Sequence, residues 1–195
     1  NRQWRGADFA QDAAFLGDGS PDSIIRRGDL LHTDVGLCYL SLCTDTQEMG
    51  YVLNLGEAEP PIGLSSAMAL GNQWQDLLTH EFRVGRTGNE ILAAAQRSIE
   101  NEGIEHAIYT HPLGLFGHAP GPTIGMWDNQ GPTPGRGDWP LRAMTGYAIE
   151  GNVTVRIPEW DGQRAQMKLE QSAFFDGSNV IYLAGRQKSL HLVRY

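Results

Sequence analysis

Four carboxylates stand where solvated surface residues should not. Asp34 lies in Leu30-Leu31-His32-Thr33-Asp34-Val35, and Asp45 lies between Leu42-Cys43 and the apolar Tyr51-Val52-Leu53. Glu150 ends Tyr147-Ala148-Ile149-Glu150, and Glu170 ends Met167-Lys168-Leu169-Glu170. Each is attached to a segment that reads as a substantially buried strand. A buried carboxylate is costly unless it is paired, hydrogen-bonded or bound to metal. Any one of them alone reads as a turn residue or a cap at a strand end. Four together, with His111 and His118 in a Gly-rich stretch, point to a shared site. Carboxylate oxygens with one imidazole suit Mn, Co, Zn or Fe, and four carboxylates can neutralise two divalent ions. Two metals about 3.5–4 Å apart can share a water, lower its pKa and polarise a carbonyl. The residue set alone therefore implies dinuclear hydrolytic chemistry.

The elements that must position these groups can be read from the pattern around them. Gly28-Asp29 marks a turn, after which Leu30 to Tyr39 reads as a strand and Leu40 to Leu53 as a second. Side chains alternate along a strand, so His32 and Asp34 share a face. Leu64 to Phe82 reads as a helix whose Leu70, Trp74, Leu77 and Leu78 form one apolar stripe. Thr87 to Glu102 reads as a second helix. Its Thr87-Gly88-Asn89-Glu90 start is a capping box, Ile91, Leu92, Ala95 and Ile99 form its apolar face, and Gly103 is its stop. Four short apolar runs follow, Met144 to Ile149, Val153 to Ile157, Ala165 to Leu169 and Val180 to Leu183, separated by Gly, Asp and Asn. Strands, then two helices, then strands suggest an α+β fold rather than a doubly wound sheet. The last stretch, from Ile181 to Tyr195, reads as sheet completion.

Composition bounds what these elements can be. The chain has 195 residues, 24 of them Gly and 10 Pro. That share is above the usual roughly 12% and favours many turns. The punctuation is densest from Gly114 to Gly137, but Leu115, Phe116, Ile124, Met126 and Trp127 interrupt it. Apolar and aromatic residues in such a stretch mark a binding loop better than a linker. The net charge of −8 argues against a nucleic-acid partner. No apolar run of about 18 residues offers a membrane span. Cys38 and Cys43 imply no disulfide framework and are too few for a structural Cys zinc site. The first residue is Asn1, with no charged-then-apolar leader behind it. The expectation is one catalytic domain over 1–195, a fragment or processed part of a longer protein, with no compartment indicated.

Five motifs in order resemble the pita-bread metallopeptidases, which include methionine aminopeptidase, aminopeptidase P, prolidase and the metal-free creatinase. Gly28 to Gly36 (GDLLHTDVG) resembles the family's GDLxxxDxG, whose second Asp binds metal. Asp45 follows Asp34 by 11 residues, the family interval to the second metal-binding Asp. Gly117-His118-Ala119-Pro120-Gly121 resembles GHxxG, which supplies the single His ligand. Ala148-Ile149-Glu150 resembles TIEP, with the first Glu ligand, and Lys168-Leu169-Glu170 resembles RIE, whose Glu bridges both metals. The resemblance covers about Gly28 to Glu170. It implies an α+β pita-bread fold, a curved antiparallel sheet flanked by helices, with Asp34, Asp45, His118, Glu150 and Glu170 as metal ligands. It also implies that the N-terminal part of the fold is missing or shortened.

Departures from the family fall on substrate groups. His111 precedes His118 by seven residues, the family interval between its His ligand and a later His in HExP. That register would make His111 the ligand and His118 the later His. The flanking Gly117 and Gly121 favour His118 as ligand, and His111 then resembles a substrate-site His that binds the substrate carbonyl or oxyanion. Under that register Trp127-Asp128 takes roughly the place of HExP, with Trp127 as a pocket wall and Asp128 as a partner for the substrate amine. A core Trp is the plainer reading of the first, and capping a turn reads equally well for the second. The family's upstream substrate His is absent. His32 could reach the site, although a hydrogen-bonded strand His is the simpler reading. Gly151 replaces the Pro that usually follows the first Glu ligand.

What the resemblance implies about activity is an Xaa-Pro aminopeptidase-like metallopeptidase that cleaves the N-terminal residue from peptides. It would use two divalent ions, Mn first among Mn, Co, Zn and Fe. Glu150 would both coordinate metal and take a proton from the attacking water. The alternatives are a prolidase-like dipeptidase or small-amide C–N hydrolase on the same fold, and a pita-bread binding module that has lost catalysis. Peptide is the expected partner, with a homodimer suggested by relatives.

Overall fold

The computed structural model describes residues 24–194. The expectations that fall on residues 1–23 and on Tyr195 lie outside that range. Two antiparallel strand pairs carry the architecture. The first joins β1 (Leu30–Val35) to β4 (Thr46–Val52), and the second joins β7 (Thr145–Ile157) to β8 (Gln163–Phe175). The pairs meet where Gln47 of β4 lies opposite Glu170 of β8. Between β1 and β4 the chain makes a separate two-stranded ribbon, β2 (Cys38–Tyr39) and β3 (Leu42–Cys43). The helices α1 (Ile62–His80) and α2 (Gly88–Asn101) come next, followed by the short strands β5 (His106–Ile108) and β6 (His111–Leu113) on the outer edge of β7. β9 (Val180–Tyr182) pairs with β8, and β10 (His191–Val193) lies parallel to β4. The stretch from Ile181 to Val193 thus completes the sheet.

Helix α1 forms because an apolar stripe recurs every three to four residues and Pro60-Pro61 ends the preceding chain. Its buried face is Leu64, Ala67, Met68, Gly71, Trp74, Gln75 and Leu78. Of the expected stripe, Trp74 and Leu78 are buried, while Leu70 and Leu77 flank the core. Helix α2 begins with the capping box read from the sequence. The Thr87 hydroxyl accepts from the Glu90 amide, and the Glu90 carboxylate accepts from the Thr87 amide at 2.8 Å. Gly103, at φ 71°, ends it in the left-handed conformation that glycine adopts without a Cβ clash.

The strands differ from expectation in continuity. Met144 to Ile149 and Val153 to Ile157 are one strand, β7, which runs through Glu150-Gly151-Asn152 without a break. β8 likewise runs past Leu169 to Phe175. Glu150 and Glu170 therefore sit in mid-strand, directly opposite one another, and not at strand ends. Gly151 looks like a break in sequence, yet a side chain there would collide with the Ala107 carbonyl and the Trp74 ring. It is glycine because α1 and β5 both approach it closely. In the first half the reverse holds. The two strands expected over Leu30 to Leu53 are shorter, and the chain between them folds into the ribbon, where Cys38 and Cys43 form a disulfide. The count of two cysteines does not require this pairing; the ribbon register sets them opposite one another.

The sheet separates two environments by strand alternation. Ile149, Val153, Leu169 and Gln171 are buried on the face that meets α1, where Gln75 donates to the Gln171 side chain at 2.7 Å. Glu150, Asn152, Thr154, Gln166, Lys168 and Glu170 line a cleft on the other face.

Candidate metal centre

Six side chains converge at the cleft floor. Asp34 projects from the end of β1, Asp45 from the residue before β4, His111 from the start of β6, Glu150 and Glu170 from the middles of β7 and β8, and His118 from the loop after β6. Ligand-capable atoms within 4.8 Å of one another occur in three overlapping sets: Asp45 with His111 and His118, His111 with Glu150 and Glu170, and Asp34 with Asp45 and Glu170. All five expected ligands are brought together, and His111 stands among them.

Backbone ties fix these positions. Asp45 is anchored across the sheet by Ser172 of β8, whose hydroxyl bonds its amide at 3.3 Å and its carbonyl at 3.1 Å. Thr110 hydroxyl does the same for Glu150, at 3.1 Å to its amide and 3.0 Å to its carbonyl. Gln47, buried on β4, donates to Glu150 Oε1 at 2.7 Å and faces His32 Nε2 at 2.8 Å. His32 is thus a hydrogen-bonded strand residue that also lines the cleft.

His111 is the most enclosed of the set at 3% exposure. Its Nδ1 lies 3.2 Å from the Pro112 carbonyl, which can only accept, so Nδ1 carries a proton and Nε2 is the nitrogen left to titrate or to ligate a cation. Nε2 is 3.4 Å from Glu150, 3.6 Å from Glu170 and 4.0 Å from Asp45. Neither His111 Nε2 nor Glu170 Oε1 makes a hydrogen bond, although both are buried. Buried polar atoms without partners are costly. Two ligand atoms each about 2.1 Å from one tetrahedral ion lie roughly 3.4 Å apart, so this spacing fits a divalent cation.

The electrostatics point the same way. Burial pushes Glu170 up to about 8, reinforced by the Glu150, Asp45 and Asp34 charges. Burial also raises Glu150 and Asp45. Burial disfavours the His111 imidazolium, but Glu150 and Glu170 against Nε2 outweigh it and push His111 up to about 10. Without metal, protons hold a cluster that carries too much negative charge for its enclosure. His118 is exposed and lies 4.1 Å from the His111 ring, and burial and the His111 charge lower it.

Of the expected substrate groups, Trp127 lines the cleft and is 67% exposed, so it is no core residue. Asp128 is exposed and is not among the described lining residues. The stretch from Gly114 to Gly137 is a cleft-wall loop and not a linker. Thr110 and Ile124 exchange backbone hydrogen bonds at 2.9 and 2.8 Å, and the Gln130 side chain bonds both backbone groups of Ile108. Sequence reading passed over Gln47, Tyr109 and Lys168. Each is two residues from a residue already singled out (Asp45, His111 and Glu170), and period-two spacing on a strand was the available signal. Tyr109 stacks near both histidines, and burial with the Glu150 charge pushes its hydroxyl up to about 12.

Comparison with known proteins agrees with this geometry. The family model for metallopeptidase family M24 matches residues 9–170. Among solved structures, the chain is similar to an X-Pro aminopeptidase from Thermotoga maritima MSB8, with a TM-score of 0.63 and 19% identity over 87% of this chain and 43% of that one. A dipeptidase from Pyrococcus horikoshii OT3 has a TM-score of 0.63 at 20% identity, over 87% of this chain and 42% of that one. A methionine aminopeptidase from Rickettsia prowazekii has a TM-score of 0.58 at 17% identity, over 81% and 65%. The chain thus spans about 43% of the length of the first of these. Comparison with curated protein sequences gives no significant match. Among the described residues, no helix is long and apolar enough to cross a membrane. With the family model matching most of its length, the antiparallel sheet and the cluster of candidate ligands, the chain belongs to metallopeptidase family M24 and has the pita-bread fold.

Proposed function

We propose that residues 1–195 act as one catalytic domain, a dinuclear metal-dependent peptidase that removes the N-terminal residue from peptides, with an Xaa-Pro preference. The observation that carries this reading is the pair of buried atoms without a hydrogen bond, His111 Nε2 and Glu170 Oε1, 3.6 Å apart inside a ring of further carboxylates. Asp34, Asp45, Glu150 and Glu170 would hold two divalent ions, Mn first among the candidates, with one histidine completing the set. His111 fits that role better than His118, because it is enclosed, its Nε2 faces three carboxylates and its tautomer is set by Pro112. This exchanges the roles expected from the glycines around His118. His118, at the cleft wall with its imidazolium disfavoured by burial, then hydrogen-bonds the substrate carbonyl.

When bound, such ions lower the pKa of water and polarise the scissile carbonyl. Glu150 holds the proton taken from water. Its carboxylate is raised by burial towards a useful basicity, and Gln47 orients it through Oε1. Trp127 forms the outer wall against the substrate side chain. An Xaa-Pro preference and a homodimer are both suggested by relatives.

A prolidase-like dipeptidase is favoured by one observation. Lys168 is the only Lys or Arg among the described residues that line the cleft, and it shares a strand face with Glu170. Its ammonium suits the free carboxylate of a dipeptide. Lys168→Met should raise KM for Xaa-Pro dipeptides and leave C-terminally amidated ones unchanged.

The test of the main reading is metal stoichiometry after loading with Mn and desalting. About two ions per chain are expected, falling sharply in Glu170→Ala. A folded wild-type chain with no metal overturns it. Hydrolysis of Xaa-Pro peptides in place of small amides would then separate peptidase from C–N hydrolase.

A further inference from the structure

Between Asp34 and Asp45 the chain leaves the main sheet and makes the β2–β3 ribbon. Little in that ribbon favours its own formation. It has two residues per strand, and an isolated two-stranded hairpin is marginal in water. Its turn residues Leu40 and Ser41 have φ of 48° and 63°. Both central positions of such a two-residue turn must be left-handed, which is why Asn-Gly is preferred there. Leu and Ser have no such preference, and Leu carries a Cβ clash. The apolar side chains do not hold the ribbon to a core either, since Tyr39, Leu40 and Leu42 are 77%, 81% and 66% exposed.

What closes the ribbon is the Cys38–Cys43 disulfide, between residues opposite one another in register. Three ligating segments meet beside it. Asp34 is four residues before Cys38, and Asp45 is two residues after Cys43. The Cys43 amide donates to the Gly114 carbonyl at 2.7 Å, in the short stretch between His111 and His118. The Thr44 amide donates to the Leu37 carbonyl at 2.8 Å, which continues the closure up to Asp45 itself.

We propose that the Cys38–Cys43 disulfide is a positioning device for the metal centre: it fixes the spacing of Asp34 and Asp45 and the seat of the histidine loop, so that metal affinity depends on its redox state. This rests on the metal-centre reading given above. Cleavage is thiol–disulfide exchange. A thiolate of a dithiol reductant attacks the sulfur of Cys38, whose residue is exposed, while Cys43 is buried at 5% and leaves as thiolate. The second reductant thiol resolves the mixed disulfide. Two electrons pass to the protein, both cysteines end protonated, and the reductant leaves as its own disulfide. The turn is then free to relax, and the two Asp ligands lose their common frame.

The experiment is Mn titration by calorimetry on three forms of the full chain: as purified, reduced with a dithiol and desalted anaerobically, and Cys38→Ala with Cys43→Ala. Free-thiol assay and far-UV circular dichroism accompany each. The expected result is no free thiol in the first form, two in the second, and Mn affinity weaker by about 10–100-fold in the second and third, with unchanged circular dichroism. A fourth form adds Leu40→Asn and Ser41→Gly to the Cys-free variant. A turn suited to the left-handed conformation should recover part of the lost affinity, which general destabilisation would not predict. Equal Mn affinity in oxidised and reduced protein overturns the proposal and leaves the metal-centre reading intact. Two free thiols in the protein as purified does the same. No Mn binding by the oxidised form overturns both.

Discussion

The two strand pairs that carry the candidate metal ligands solve the same problem differently. β7 and β8 pair over thirteen residues each, and Glu150 and Glu170 lie in the middle, opposite one another. Glu170 is 1% exposed, and beneath it Leu169, Gln171, Gln75 and Gly71 pack sheet against helix. β1 and β4 pair over six positions, Asp34 is exposed at the end of β1, and Asp45 precedes β4. One half places its ligands by continuous sheet and burial. The other places them at strand ends, with Ser172, the ribbon and a disulfide supplying the constraint. Precision in a ligand comes from whatever limits its backbone, and where burial is absent a covalent or hydrogen-bonded tie has to serve.

If that contrast is right, the buried half should dominate the metal energetics. Glu170→Ala is expected to weaken Mn binding by more than the roughly 10–100-fold typical of a supporting residue. Asp34→Ala is expected to fall within or below that range. Equal losses in the two variants, measured by calorimetry, would break the comparison. Gln47→Ala touches both halves at once, because β4 carries it and β7 carries its acceptor. About tenfold lower kcat with KM little changed is expected, as for a supporting residue that orients a ligating group.

A smaller effect sharpens the comparison through pH. Glu170 is raised from 4.5 to about 8, and His111 from 6.5 to about 10. Both therefore bind more protons folded than unfolded in the metal-free protein. Stability then falls as pH rises, from about 4.5 to about 8 for Glu170 and from about 6.5 to about 10 for His111. Metal replaces those protons, so the loaded protein should lose this slope. Thermal melts from pH 5 to 9 with Mn and with chelator check it, and parallel curves would count against the cluster's proton load. The smallest expected change is Trp127→Ala. At 67% exposure it should shift unfolding free energy by no more than about 0.5 kcal/mol, while raising KM. A large stability loss in a urea melt would return Trp127 to the core.

How much of this was legible depended on the range of the interactions involved. The α2 capping box is local, and it appears as read, because Thr87 and Glu90 need only each other's backbone. The four clustered carboxylates were legible as anomalies, charged residues attached to apolar strands. Continuity of β7 was not, because Gly151 looks like a break until Trp74 and Ala107, distant in sequence, are seen pressed against it. The roles of His111 and His118 were read from flanking glycines, which report backbone freedom. Enclosure by β6 and the approach of three carboxylates, which bear on metal affinity, are not local features.

The sequence by itself determined which atoms were available for chemistry: four carboxylates and two histidines in an order and spacing that mark a family. It also determined the helices, whose apolar stripes and caps are short-range. Only the tertiary structure decided how those atoms are held. Glu150 stands opposite Glu170 because two long strands keep one register, and His111 Nε2 faces three carboxylates without a hydrogen bond because sheet and loop close around it. The disulfide sits between Asp34 and Asp45 because the chain there leaves the main sheet. These outcomes depend on contacts between residues as many as 127 positions apart, such as Asp45 with Ser172, and no local pattern encodes such a contact.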